Sequence, residues 1–156
     1  MPFEAPRNSG EGYTYFFDCG IVVRGLLARW RSTHEPEFLD VATELGNAMI
    51  ADFTAVEGHY HPILSLPDKE PVPRDSSRWS QSTGCYQLKS GLAWWELFEA
   101  TGASEFRQAY EGLLETALAC YRTFLPGHSD PLKVVDRLHA FLYFLEGILP
   151  HAQEEL

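Results

Sequence analysis

Basic residues are scarce: 12 lysines and arginines stand against 22 aspartates and glutamates, for a formal net charge of -10. No clustered Lys/Arg footprint occurs, which weighs against nucleic acid and anionic membrane surfaces as partners. Long apolar runs are missing as well. No stretch of about 18 apolar residues is present and none follows a basic start, so the sequence predicts a cytoplasmic protein with neither membrane span nor signal peptide. Cysteine is sparse. Cys19, Cys85 and Cys120 are odd in number, far apart in sequence and set in apolar helical patterns. They predict buried thiols in a reducing compartment rather than a disulfide frame or a zinc site. The G-x-S-x-G elbow, the P-loop and the dinucleotide fingerprint are all absent. The sequence carries no self-sufficient catalytic motif, and no cofactor is expected.

What is present is enough for a core. A chain of 156 residues, 45% hydrophobic and with four tryptophans, reads as one domain, 1–156, able to bury a substantial interior. Residues 1–12 are rich in Pro and Gly and read as a lead-in. After the aromatic burst of Tyr13, Tyr15, Phe16 and Phe17, Asp18 is placed to cap a first helix. Cys19, Val22, Val23, Leu26, Leu27 and Trp30 keep helical spacing to about Thr33. Pro36 suits the first position of a second helix, which Phe38, Val41, Ala42, Leu45, Ala48, Met49 and Phe53 carry on one face. A short turn therefore makes these two an antiparallel hairpin.

The stretch from Gly84 to Gly102 leaves little of its circumference polar. Cys85, Leu88, Leu92 and Trp95 form one stripe, and Trp94, Leu97, Phe98 and Thr101 a second. A helix apolar on most sides belongs inside, with neighbours around it. Gly102 is the expected C-cap and Ser104 the next N-cap, opening a fourth helix that is one-faced like the second. STHEPEFLDVA aligns with ATGASEFRQAY at an offset of 68, placing Thr33 on Thr101, Glu37 on Glu105 and Phe38 on Phe106. This is a weak internal repeat of helical hairpins. Asp130 and Pro131 open a fifth helix whose expected core stripe is Val134, Val135, Leu138, Phe141, Leu142, Leu145, Ile148 and Leu149, with Pro150 ending it. The spacing predicts helices at 18–33, 36–53, 85–101, 104–124 and 131–149, with no sheet. Helices one, three and five are expected to adjoin one another and to be more buried than two and four.

Residues 54–84 show no period, and their prolines argue against regular structure. Loops this long inside a compact domain are functional flaps or disordered. His59, Tyr60, His61 and Trp79 favour a packed flap, since disordered segments are poor in aromatics. The His-x-His spacing of His59 and His61 lacks a third clear ligand, so no metal site is expected.

The fifth helix carries a polar stripe. Asp136, His139, Tyr143 and Glu146 lie within about 80° of one another on it. Asp136 with His139, and Glu146 beyond Tyr143, are candidates for an acid/base set, because carboxylates facing one cavity can have their pKa values driven apart. The plainer reading is a hydrogen-bonded seam between helices, neutralised by Arg137 or Lys89.

Two-sided inner helices alternating with one-sided outer ones run through three segments, with a T-G-x-x-x-F turn at Thr101–Phe106 and a turn of the same type, T-H-x-x-x-F, at Thr33–Phe38. The segments are DCGIVVRGLLARWRSTHEPEFLDVATEL, YQLKSGLAWWELFEATGASEFRQAYEGLLETAL and DRLHAFLYFLEGIL. The pattern resembles the (α/α) toroid of the six-hairpin glycosidase superfamily, which includes glycoside hydrolases and N-acylglucosamine 2-epimerase-type enzymes. The resemblance implies an all-α fold of antiparallel hairpins arranged as a partial toroid, since a closed ring takes more helices than the five read here. It further implies a carbohydrate ligand near the starts of the inner helices, with Tyr86, Gln87, Lys89 and Tyr143 as contacts. Trp79 would stack on a sugar ring, or else anchor the flap in the core. Asp18 would be a sugar-binding or catalytic acid, or simply the cap. Arg24 would contact a carboxylated ligand, or belong to a solvated face. Asp136, His139 and Tyr143 should then share a cleft with Tyr86 or Lys89. Catalysis, if present, would be carboxylate acid/base chemistry on a glycosidic bond or a sugar carbon.

Two other functions fit the same pattern: a non-catalytic helical-repeat module that binds protein, and a bundle that holds a small apolar ligand between its Trp and Phe residues. A half-ring also leaves apolar edges bare, which predicts a homo-oligomer, most simply a two-fold dimer. The fifth helix is expected at that interface through Phe141, Phe144 or Ile148.

Overall fold

The computed structural model describes residues 12–55, 59–125 and 131–154. The fold is all-α in its main body and is built from helical hairpins. α1 (Phe16–Thr33) and α2 (Pro36–Phe53) form the first, and α3 (Leu88–Thr101) and α4 (Ser104–Phe124) the second. α5 (Pro131–Gly147) packs on α3 and α4, and the short α6 (Leu149–Glu154) follows it. α3 lies between α1 and α5, and a one-turn 3₁₀ segment, Cys85–Gln87, leads into it.

The two hairpin turns are the same turn. α1 ends on His34 and α3 on Gly102, both left-handed, with φ of 59° and 74°. Their backbone N–H groups donate to Trp30 O and Phe98 O, each at 2.8 Å. The hydroxyls of Thr33 and Thr101 cap the last carbonyls, donating to Arg29 O at 3.0 Å and Leu97 O at 2.7 Å. Each hydroxyl then accepts from the second residue onward, Glu35 N and Ala103 N. The alignment offset seen in the sequence is therefore a structural equivalence.

Several boundaries differ from expectation. α1 begins two residues early, because Phe16 and Phe17 are drawn into the helix; Tyr15 is its N-cap and Asp18 sits in the first turn. Ser104 is likewise the first helical residue, behind Ala103. Pro150 does not stop the chain's helicity. It falls near the start of α6, where its missing N–H is harmless. The expected cap Asp130 lies outside the described residues, as do residues 1–11 of the lead-in.

The chain also has a small antiparallel sheet, against the expectation of none. β1 (Tyr13–Tyr15), β2 (Ile63–Ser65) and β3 (Glu70–Pro71) run in that order. Strands of three residues or fewer carry too little alternation to read, and β1 finds its partner far along the chain. The sheet ties residues 59–84 to the start of α1, where Phe16 N–H donates to Pro62 O at 3.0 Å. Tyr60 is buried, stacked on Phe16 with ring centres 5.1 Å apart and 4.9 Å from Trp94. Trp94 lies fully buried at the centre, its indole N–H donating to Gly46 O at 3.1 Å.

Small residues let the neighbours of α3 come close. A Cβ on Gly20 of α1 would lie 2.8 Å from Ser90 Cα, and one on Gly147 of α5 would lie 2.7 Å from the Leu88 carbonyl carbon. α3 is the most enclosed helix, as its two stripes require. α1 and α5 are not more buried than α2 and α4: α1 packs on α2 and α3 and α5 on α3 and α4, and among the described residues no further helix covers their outer faces. They flank α3 rather than adjoin, touching where Phe17 meets Tyr143. Ile21 and Val22 on α1 are exposed, as are Val135, Leu138, Leu142, Leu145 and Leu149. Much of the expected core stripe of the fifth helix therefore faces out, and Ala140, Phe144 and Gly147 face in.

Candidate functional site

The starts of α1 and α3, the flap and the flank of α5 enclose a cleft of about 50 Å³, room for roughly three to five waters. Its floor is Phe16, Tyr86 and Gln87, all buried; its walls are Tyr15, Phe17, Trp79 and Tyr143, half-buried; Asp18 and His139 stand exposed at the rim, with Pro62 and Ser80 completing the lining.

The walls form a chain of ring contacts. Trp79 meets Tyr86 edge-on at 5.1 Å and His139 edge-on at 5.0 Å. His139 meets Tyr143 at 5.8 Å, and Tyr143 meets Phe17 at 5.0 Å. Edge-to-face contacts of this kind fix ring orientation as well as burying area. Trp79 is held by a one-turn 3₁₀ segment, Trp79–Gln81, closed by Ser82 N–H donating to Trp79 O. The Tyr86 hydroxyl donates to Ser82 O at 2.8 Å, so floor and flap are stitched together.

Burial, with a smaller contribution from the charge of neighbouring Cys85, pushes the Tyr86 phenol well above its usual range. Burial, followed by Asp18 and Tyr13, also raises that of Tyr15. Both stay neutral hydroxyls across the physiological range. Gln87 is largely committed to the fold: its amide N–H donates to Tyr60 O at 3.0 Å and its oxygen accepts from Gly84 N–H. The other polar side chains of the lining are Asp18, His139, Ser80 and the hydroxyl-bearing Tyr15 and Tyr143.

The structure thus brings Asp18, Trp79, Tyr86, Gln87, His139 and Tyr143 to one cleft. Lys89 stands behind it, its ammonium 4.4 Å from the Tyr143 ring centre and 2.8 Å from Glu146. Glu146 is therefore one half of an ion pair on the outer flank. Asp136 is exposed and outside the lining, so among the described residues Asp18 is the one carboxylate on the cleft. Arg24 is elsewhere: Glu96 accepts from Arg24 Nε at 2.6 Å and from Arg31 at 2.7 Å, locking α1 to α3. Among the described residues no group of three His, Cys, Asp or Glu side chains is arranged to hold a metal.

Sequence reasoning left out Tyr15, Phe16, Phe17, Pro62 and Ser80. The aromatic burst before α1 was the available signal, but only the β1–β2 pairing reveals that it meets Pro62 and the flap. The cysteines hold a second surprise. Cys85 and Cys120, far apart in sequence, come close enough at the base of α3 for each thiol to act on the other's ionisation, with Cys120 half-buried, its S–H donating to Ala117 O at 3.6 Å, and Cys85 buried.

Comparison of the chain with known protein families, curated proteins and solved structures gives no match. The cleft is therefore read from its own geometry.

Proposed function

We propose that the cleft binds a saccharide ring, and that the chain is a carbohydrate-binding relative of the (α/α) toroid type. The observation that carries this reading is the pairing of aromatic walls with polar rim groups at the starts of two neighbouring helices. Trp79 and Tyr143 supply aromatic surface for the apolar side of a sugar, while Asp18, His139 and Ser80 can hydrogen-bond hydroxyls. Binding without hydrolysis fits better than glycosidase chemistry, because that chemistry uses two opposed carboxyl groups and the lining carries Asp18 alone. If the bound sugar reacts, Asp18 and His139 are the groups placed to move a proton. A cytoplasmic setting fits the adjacent free thiols of Cys85 and Cys120. No helix among the described residues is long and apolar enough to cross a membrane.

The test is a tryptophan-fluorescence titration with a panel of mono- and disaccharides, alongside a fatty acid. A saturable response to a saccharide that Trp79→Ala removes is the expected result. A response to the fatty acid alone would favour an apolar ligand instead. The second reading, a helical-repeat module that binds protein, draws on a different observation: the exposed leucine face of α5.

A further inference from the structure

α5 presents two opposite faces. Ala140 and Gly147 lie on the inner one, and Gly147 sits so close to Leu88 that α5 is seated directly on the lead-in to α3. On the outer face Val135, Leu138, Leu142 and Leu145 recur at intervals of three, four and three residues, and Leu149, the first residue of α6, follows four residues on. At 100° per residue the four on α5 fall within about 80° of arc, opposite Ala140 and Gly147. Val135 is 65% exposed, Leu142 56% and Leu149 54%. Phe141, Phe144 and Ile148, the contacts expected from sequence, turn instead toward α4 and the core.

Spacing of three and four residues is the seam of a two-helix coiled coil, in which each apolar side chain fills a hole on a facing helix. An amphipathic surface helix burying one face in its own domain usually turns charge outward. α5 turns leucine outward. The five residues leave on the order of 400 Å² of apolar side chain open, within the range of the largest patches on monomers, which are often functional. A stable interface takes about 800 Å² per partner. The flanks of the seam, His139 and Glu146 on one side and half-buried Phe141 and Ile148 on the other, would supply much of the remainder.

We propose that this face seats α5 of a second copy of the chain, antiparallel, about a two-fold axis between Leu142 and Leu145. In that register Leu142 faces Leu145 of the partner, and Leu138 faces Leu149. On one side of the seam His139 then comes beside Glu146 of the partner twice over, where Glu146 also holds its own Lys89 at 2.8 Å, which gives the seam a complementary polar edge. A two-fold pairing uses one patch on both copies and closes on itself. His139 also stands at the rim of the cleft, so the seam is tested by association and not by ligand binding.

Sedimentation equilibrium tests it. The wild-type chain is expected at the mass of two chains at micromolar concentration, falling toward one on dilution. Leu142→Glu with Leu145→Glu should sediment as one chain with an unchanged far-UV circular dichroism spectrum, whereas Val22→Glu, on the exposed face of α1, should leave the dimer intact. For the register, His139→Lys with Glu146→Lys should weaken association at least tenfold, and His139→Glu with Glu146→Lys should preserve it. A wild-type mass of one chain at every concentration would overturn the proposal. So would a dimer that survives the paired leucine substitutions, or one that Val22→Glu abolishes. Equal effects of the two charge variants would overturn the antiparallel register.

Discussion

His34 and Gly102 close equivalent turns in the same left-handed conformation, one with a side chain and one without. A left-handed residue with a Cβ costs about 1–2 kcal/mol relative to glycine, and helices commonly end on glycine for that reason. His34→Gly should therefore raise the stability of the chain by about 1 kcal/mol, and Gly102→Ala should lower it by about the same. Urea unfolding monitored at the tryptophans measures both. If His34→Gly lowers stability, the imidazole supports the turn in a way its backbone geometry does not reveal.

Close helix approach makes a sharper prediction. At Gly20 and Gly147 a methyl group would meet backbone or Cβ atoms of Ser90 and Leu88 at under 3 Å, whereas at Gly25 in the same α1 it would meet nothing within 4 Å. Gly20→Ala and Gly147→Ala should each cost about 1–3 kcal/mol or more as the helices are pushed apart. Gly25→Ala should add about 0.5–1 kcal/mol, since it only restricts the unfolded chain and favours the helix. Melting temperatures moving in the same direction at all three sites would contradict the packing described.

The helices were legible because their periodicity is long and clean. α2 and α4 run over the residues their apolar spacing marks out, and the equivalence of His34 with Gly102 lies in a repeat that the sequence shows faintly. His139 and Tyr143, one turn apart on α5, could be placed on a common face with no structure at all, and Tyr86 and Trp79 carry aromatic signals in polar surroundings. What periodicity cannot report is coverage. Val135, Leu142 and Leu145 read as core because they are apolar at helical spacing, and that spacing is the same whether or not a neighbour lies against it. Tyr15 and Phe17 were seen as aromatic but not as walls, because their neighbours come from a β1–β2 pairing too short to leave a pattern. Arg24 and Glu96 lie on different helices, and nothing local links them.

That ion-pair cluster yields a third prediction. Glu96 is mostly buried between Arg24 and Arg31, while Lys89 is shielded beneath Tyr143 with half-exposed Glu146 beside it. Glu96→Gln should cost about 1–2 kcal/mol, because two guanidinium groups lose one acceptor between them. Glu146→Gln should cost less than about 1 kcal/mol, since its pair is open to solvent and Lys89 retains the ring. Arg24→Met should leave saccharide titrations unchanged. A loss of binding with Arg24→Met would return it to the ligand site.

Cys85 and Cys120 supply the pH dependence. The neighbouring Cys85 thiol favours the Cys120 thiolate and lowers its pKa to about 7, while the proximity of Cys120, followed by burial, pushes Cys85 up. Cys120 should react with iodoacetamide with a half-maximal rate near pH 7, and Cys85 should stay unreactive in the folded chain. Cys85→Ala should move that midpoint up toward the ordinary value of 9.0. For stability, a lowered pKa contributes above the unfolded value and is lost as pH falls through the folded one. Cys120 therefore makes the fold gain stability between about pH 7 and 9. Cys85 has the opposite sign: its contribution is full below its unfolded value of 9.0 and fades above it. A stability profile flat from pH 7 to 9 in the wild type, and identical in Cys85→Ala, would contradict this coupling.

The central claim is that the aromatic cleft is a saccharide site, and nitrogen–proton correlation NMR tests it most directly. Adding the saccharide that gives the strongest fluorescence response should shift the Trp79 indole signal and the backbone amides of Asp18, His139 and Tyr143. The buried Trp94 indole, bonded to Gly46 within the core, should hardly move. Shifts confined to the outer face of α5, or absent from the cleft at saturating sugar, would contradict the account.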